Sequence, residues 1–401
     1  MFRDRNILTD SYIPDDIIAR DRQINEISSN LQPIIDLSSP INMFITGENG
    51  VGKTITVNYV LKMLIAGIKA IGQDINIDFI KINCGIRNND TEICKEILSY
   101  YNLDFNPKGY SISSTMQKIW DHINEKARQS NFYTVIFFFD EVDKLNVNKK
   151  RSINSEDAQL DLLYQITRAV EYGLIKVSNC KLGVITASNK PHFLETVERS
   201  ITTAAGFYNL TFPNYKENDL FLILMDRIDA FQPNVISEEL IRDIAKDVAE
   251  RYRGDARRAL DTLLYSGKFA FDEGDTVIRL RHVHAAEEKI TLLANEKLLS
   301  DYSKHDKFLF IALDLCHQYT SDPNTGLIYA VYLWICNVFH EKPTTEGHIS
   351  RTLSLLVDNG ILNKTRGFRG NTRVFSLTES VKNSLHVMYT TDMKTEIDKN
   401  I

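Results

Sequence analysis

At 401 residues the chain is too long for one ordinary core, so two or three domains are expected. Hydrophobic residues at 43% and charged residues at 25% exclude both a disordered chain and a fibre. The net charge of -6 excludes a uniformly basic nucleic-acid coat, though not a local basic patch, because the nearby field matters more than the sum.

Residues 21–37 read as a helix, and a strand over residues 41–45 then enters the loop GENGVGKT. A helix from Lys53 to about Ala70 follows. The runs IDFIKINC (77–84), YTVIFFFDE (133–141) and KLGVITASN (181–189) show little polar alternation, as buried parallel strands do. Strands separated by helical stretches predict an α/β domain with a largely parallel sheet, assigned to residues 1–212. From Phe212-Pro213 the pattern turns wholly helical up to about residue 300, with Ser237 and Asp255 as N-caps. A third module, residues 301–401, contains three helical segments and then two short strands around a tip rich in glycine and arginine. The polar stretch 146–157 is the clearest loop. The densest apolar run, residues 135–139, is only strand-sized, so no membrane span is expected, and the N-terminal stretch has no signal-peptide pattern. Cys84, Cys94, Cys180, Cys316 and Cys336 lack the spacing of a disulfide frame or zinc cluster and read as buried residues of a cytoplasmic protein.

The loop meets the pattern G-x-x-x-x-G-K-[ST] in full at Gly47, Gly52, Lys53 and Thr54. Its glycines let the amides of Glu48, Asn49, Gly50 and Val51 converge on phosphate oxygens, and the helix N-terminus adds partial positive charge. Lys53 reaches the outer phosphates and Thr54 offers a hydroxyl to Mg²⁺. Asp140 and Glu141, at the carboxyl end of an intensely apolar strand, point into the crevice where such sheets bind ligands. Asp140 is the expected metal carboxylate and Glu141 the group that orients or deprotonates the attacking water. Asn189, ending the next strand, suits a γ-phosphate contact; the plainer alternative is a turn-capping asparagine. In the helix that opens near Asp255, Leu260, Leu263 and Leu264 are expected to make the apolar face; Arg257 lies on the side of Leu260 and Leu264, predicting that it faces the rest of the protein, whereas Arg258 is predicted to lie outside. An inward arginine needs a counter-charge, supplied by a triphosphate or by an interdomain salt bridge.

Residues 342–373 hold six basic residues (Lys342, Arg351, Lys364, Arg366, Arg369, Arg373) against only Glu346 and Asp358, a local excess in an acidic chain. Residues 344–359 read as a helix with Ile349, Leu353, Leu356 and Val357 as its buried stripe, leaving His348, Arg351, Thr352 and Leu355 off it. Helix, turn, helix and two-stranded ribbon make the winged variant of helix-turn-helix. In the ribbon tip Arg366, Arg369 and Arg373 alternate with Gly367 and Gly370, which allows close approach to phosphates. A solvated hairpin of a protein-binding winged domain is the alternative. Trp334, Tyr329 and Tyr332 read as core.

Loop, Asp140–Glu141, Asn189 and the arginine-bearing helix together resemble an AAA+ ATPase: Walker A, Walker B, a sensor asparagine and a lid with a sensor arginine. More narrowly, the stretches at 12–31 (YIPDDIIARDRQINEISSNL), 82–84 (INC), 139–145 (FDEVDKL) and 253–263 (RGDARRALDTL) resemble the archaeal replication initiators. These are relatives of the eukaryotic origin recognition complex subunits and their helicase-loading partner. Residues 325–336 and 367–378 resemble that family's winged helix and wing. The chain is thereby identified as a divergent paralogue.

The resemblance implies an α/β AAA+ domain with a helical lid (213–300) and an α+β winged-helix domain. It implies ATP or ADP with Mg²⁺ held by Thr54 and Asp140, with Arg257 as the lid arginine and Ile13 and Arg20 among the nucleotide contacts. It further implies a DNA-touching helical insertion near 86–125, at Lys108, Tyr110 and Ser111. DNA contacts of the winged domain would come from His348, Arg351, Lys364, Arg366, Arg369, Gly370 and Arg373. Slow ATP hydrolysis would act as a conformational switch in a nucleoid-associated protein that binds double-stranded origin DNA. The expected partners are a replicative MCM-type helicase and another initiator on adjacent DNA. Where the family carries an Arg-Val pair after the sensor, this chain has Thr196-Val197, with Arg199 nearby. A loader or remodelling ATPase with incidental DNA contacts is one alternative; a DNA-bound regulator or structural partner of another initiator is a second.

Overall fold

The computed structural model describes residues 1–9, 12–145, 161–190, 193, 206–300, 302–320, 323–358, 362–366, 373–378 and 382. They fall into two compact units, Met1–Arg279 and Leu280–Ile401.

In the first unit, helix α1 (Asp21–Leu31) leads to strand β1 (Met43–Thr46), then α2 (Lys53–Ala70) and β2 (Ile75–Asn83). Helices α3 (Asp90–Tyr100) and α4 (Ile112–Arg128) precede β3 (Phe132–Asp140), and α5 (Asp161–Thr167) precedes β4 (Cys180–Ser188) and β5 (Tyr208–Thr211). The helix expected over 21–37 stops at Leu31 and tightens into a 3₁₀ turn at Gln32–Ile34, where Pro33 has no amide to continue the ladder. The sheet is wholly parallel, in the order β2-β3-β4-β1-β5. All nine residues of β3 are buried because they feed two cores. Tyr133, Val135, Phe137 and Phe139 pack with Ile97, Ile119 and Trp120 of α3 and α4. Phe132, Ile136 and Phe138 pack with Val57, Val60 and Leu61 of α2 on the other face. That division explains the unbroken apolar run.

Helices α6 (Glu217–Asp226), α7 (Glu238–Arg251) and α8 (Ala256–Asp272) complete the unit. The Ser237 side chain accepts from the Leu240 amide, and Asp255 accepts from the Arg257 and Arg258 amides, as caps do. The buried face of α8 is Ala256, Ala259, Thr262, Leu263, Ser266, Gly267 and Ala270. Of the three leucines expected on it, Leu263 is buried and Leu260 and Leu264 are half-buried. Small residues are favoured on this face because the neighbouring chain comes close.

The second unit contains α9 (Leu280–Ser300), α10 (Lys304–Tyr319), α11 (Thr325–Val338), α12 (Glu346–Asp358) and the antiparallel pair β6 (Leu362–Arg366) and β7 (Arg373–Leu377). Ile349, Leu353 and Leu356 of α12 join Phe308, Ile328, Tyr332 and Phe375 in its core, with Tyr329, Trp334 and Val357 partly buried against it. The Tyr332 hydroxyl accepts from the Thr344 amide at 3.0 Å, and its ring is fully buried. All five cysteines are buried, and burial raises the Cys94 thiol to about 12. No described helix is long and apolar enough to cross a membrane.

Candidate nucleotide site and nucleic-acid surfaces

Strand β1 delivers the glycine loop to the crevice and α2 starts at its end, so the first turn of α2 aims its free amides into a cavity of about 520 Å³. Lys53, only 7% exposed, donates through Nζ to the carbonyls of Gly47 (2.9 Å) and Glu48 (2.7 Å) and to Asn189 Oδ1 (2.8 Å). Burial pulls its pKa down; Asp140, Asp143 and Glu141 oppose that shift, and the Arg257 charge adds to it. The Thr54 hydroxyl donates to Asp140 Oδ2 at 2.6 Å. This side-by-side hydroxyl and carboxylate is a hard oxygen donor set of the kind that suits Mg²⁺.

Glu141 follows β3 with a left-handed backbone (φ 54°), a conformation costing a non-glycine residue about 1 kcal/mol, and its carboxylate seats against Gly85. Asp143 accepts from the Asn189 amide (3.0 Å) and the Ser188 hydroxyl (3.1 Å), fixing the strand end that presents Asn189.

Ile13, Asn49, Gly50, Val51, Gly52, Lys53, Thr54, Asp140, Glu141, Asn189 and Arg257 all line the cavity. Gly47, Glu48 and Arg20 do not. Arg20, 2% exposed, donates to the carbonyls of Val51 (3.0 Å) and Pro213 (2.8 Å), with its guanidinium 3.7 Å above the Tyr215 ring. In this structure Arg20 braces the glycine loop rather than lining the cavity. Burial lowers its pKa, opposed by Tyr215 and Asp219. Arg257 reaches the cavity rim with an exposed side chain rather than from a buried face. Arg258, expected outside, is half-buried, its guanidinium 3.5 Å above the Tyr252 ring.

Several lining residues escaped the sequence reading, among them Tyr12, Asn58, Asn83, Ile223 and Arg227. Of these, Tyr12 and Asn83 lie in the stretches 12–31 and 82–84 that carried the family resemblance, and Asn83 ends β2 directly opposite Asp140 in register.

The lid helices rest on the phosphate loop itself. The Ala256 amide donates to the Gly50 carbonyl at 3.2 Å, and Glu48 pairs with Arg253 at 2.9 Å. A Cβ on Gly50 would lie 1.7 Å from Asp255 Oδ1 and 3.1 Å from Asp255 Cα, and its φ of +69° is in the left-handed region. Gly50→Ala is expected to weaken nucleotide binding by about tenfold, the equivalent of the 1–2 kcal/mol of left-handed strain. Titration with a fluorescent ADP analogue measures it.

In the insertion, α3 and α4 flank a turn at Gly109 (φ 89°). Lys108 and Tyr110 are exposed, and the Tyr110 ring lies 4.9 Å from that of Phe105. Ser111 caps α4, accepting from the Ser114 amide at 3.1 Å. In the second unit His348 and Arg351 are exposed on α12, away from its buried stripe, and Lys364 and Arg373 are exposed on β6 and β7. Arg366 ends β6 opposite Arg373. Arg369 and Gly370 lie outside the described residues, as do Thr196, Val197 and Arg199.

An AAA domain family matches residues 38–187, the Cdc6 AAA+ ATPase-type lid domain residues 221–288, and the Cdc6 C-terminal winged helix domain residues 297–386. The ORC1-type DNA replication protein of Thermococcus kodakarensis is 30% identical over 388 residues, covering 94% of this chain and 88% of that protein. The chain belongs to the ORC1-type DNA replication proteins. The Pyrococcus furiosus protein of the same description is 31% identical over 94% of this chain and 87% of its own. Among solved structures, the Aeropyrum pernix ORC1 protein, determined in complex with DNA, superposes on this ORC1-type chain with a TM-score of 0.79. It is 25% identical, over 96% of this chain and 97% of its own. Cdc6p of Pyrobaculum aerophilum shares the fold at 22% identity and a TM-score of 0.59, over 100% of this chain and 99% of its own. The expected fold class and family are thus borne out: an AAA+ ATPase chain with lid and winged helix, of the replication-initiator type.

Proposed function

We propose that this ORC1-type chain binds double-stranded DNA at replication origins and uses ATP or ADP, with Mg²⁺, to set its conformation while helping to recruit a replicative MCM-type helicase. The observation that carries the reading is the gathering of Lys53, Thr54, Asp140, Glu141, Asn189 and Arg257 at one cavity. In it Lys53 exchanges a loop carbonyl for an outer phosphate oxygen, a stronger acceptor because it is charged. Thr54 and Asp140 would hold Mg²⁺, which would offset the negative charge of the outer phosphates. Glu141 orients and accepts a proton from the attacking water, Asn189 holds the γ-phosphate side, and Arg257 reports its presence to the lid. Turnover is slow in this reading, and the direct seat of the lid on Gly50 is what supports a switch.

Lys108 and Tyr110 of the insertion, and Arg351, Lys364 and Arg373 of the winged unit, contact DNA, alone or beside another initiator. Residues 1–212, 213–300 and 301–401 act as nucleotide-binding base, lid and DNA-binding domain. Footprinting across candidate origins with ATP and with ADP tests the reading; absence of protection under both nucleotides would overturn it. Arg351→Ala combined with Arg373→Ala is expected to weaken duplex binding and flatten the plot of log affinity against log salt by about 2, one phosphate each. Unchanged affinity at two salt concentrations would remove this face of α12 and β7 from the account.

A further inference from the structure

We propose that residues 1–9 and 12–17 act as a strap, fastened to the helical lid through Phe2 and Tyr12, that positions the apolar wall of the nucleotide cavity. This rests on the nucleotide reading of that cavity. The apolar part of the cavity lining includes Ile13, Pro14 and Ile17, with Ile223 and Leu260 coming from the lid helices. Such a wall suits an aromatic base, but nothing in residues 12–17 is helix or strand that would hold it in place.

The fastening lies upstream. Phe2 forms an antiparallel bridge with Phe231, and their rings stack at 5.0 Å. The Arg3 and Asp4 amides donate to the Ala230 carbonyl at 2.8 and 3.1 Å, and the Gln232 amide donates to the Met1 carbonyl at 2.9 Å. The Arg5 guanidinium closes over the Phe2 ring at 4.3 Å.

The lid is shaped to receive this segment. Gly267 sits inside α8, where glycine is unfavourable, yet a Cβ there would come within 2.5 Å of the Phe231 ring and 2.7 Å of the Phe2 ring. At the second point the buried Arg227, at the end of α6 and paired with Asp226, lies 4.8 Å above the Tyr12 ring. Beyond the wall, Arg20 ties the chain to the Val51 carbonyl of the glycine loop. The strap therefore joins lid to phosphate loop, and its wall residues are held between these protein contacts. Loosening it makes ordering part of the binding cost, which raises Kd without touching the reacting groups.

The test is full-length Phe2→Ala, with Phe2→Leu as the conservative variant and Gly267→Ala as an independent approach from the lid side. Fluorescent ATP and ADP titrations, steady-state hydrolysis and thermal melting are measured on each. The expected result is an affinity loss of about fivefold or more, equal for ATP and ADP, with KM raised and kcat retained. Phe2→Leu should recover most of the affinity, and Gly267→Ala should reproduce the loss. Unchanged affinity in Phe2→Ala, or a loss confined to ATP, would overturn the strap while leaving the nucleotide reading intact. Failure of Phe2→Leu to recover affinity lost in a folded Phe2→Ala would overturn it too. An unsubstituted chain that binds neither nucleotide would overturn the underlying reading itself.

Discussion

A Glu141→Gln chain is expected to bind ATP and ADP as tightly as the unsubstituted one while hydrolysing ATP at least about a hundredfold more slowly, the usual contribution of a general base. Asp140 is already engaged, accepting from the Thr54 hydroxyl through Oδ2 and from the Glu141 amide through Oδ1. Glu141 is the next carboxylate at the cavity, and glutamine keeps its length and its seat against Gly85 while losing its basicity. Because the left-handed backbone at this position tolerates both residues alike, folding should be preserved. Phosphate release under saturating ATP, beside a nucleotide titration, separates the two effects. Hydrolysis at the parental rate would assign the base elsewhere.

The Lys53→Met substitution is expected to lower affinity for both nucleotides by about a hundredfold, or about 3 kcal/mol, within the range for truncating one partner of a buried charge pair. Lys53 is 7% exposed, and its ammonium is the hub between two loop carbonyls and Asn189. Methionine keeps the stem but offers no donor, so the loop loses its internal tether along with its phosphate partner. Isothermal titration with ADP reads the change. Retention of parental affinity would mean that the backbone amides alone hold the phosphates.

The phosphate loop and the carboxylate strand were legible in the sequence because both depend on contiguous residues. Phosphate binding needs glycines and a lysine in fixed spacing, and a strand buried on both faces needs an unbroken apolar run such as Phe132–Asp140. What stayed hidden depends on who packs against whom. Strand β5 buries only Leu210 among its four residues, so it carries no apolar signature; pairing with β1 makes it a strand. Arg20 sits in a stretch that matched the family, yet its guanidinium is directed to the Val51 and Pro213 carbonyls, a choice made by tertiary placement. The face of α8 was misjudged because leucine spacing was weighed above small residues. Gly267 marks the closest approach there, and of the three leucines only Leu263 is buried on that face. Asp143 gives no local hint that it orients Asn189 from 46 positions away in the chain.

The two-sided packing of β3 has a mechanical consequence. Trp120 and Ile119 of the insertion lie in one cluster with Phe137 and Phe139, and the backbone runs from Phe139 straight into Asp140. The helices α3 and α4 and the Asp140 carboxylate are therefore joined through one packed core. A displacement of Asp140 along its strand is felt directly by α3 and α4, because close-packed side chains pass strain on rather than absorb it.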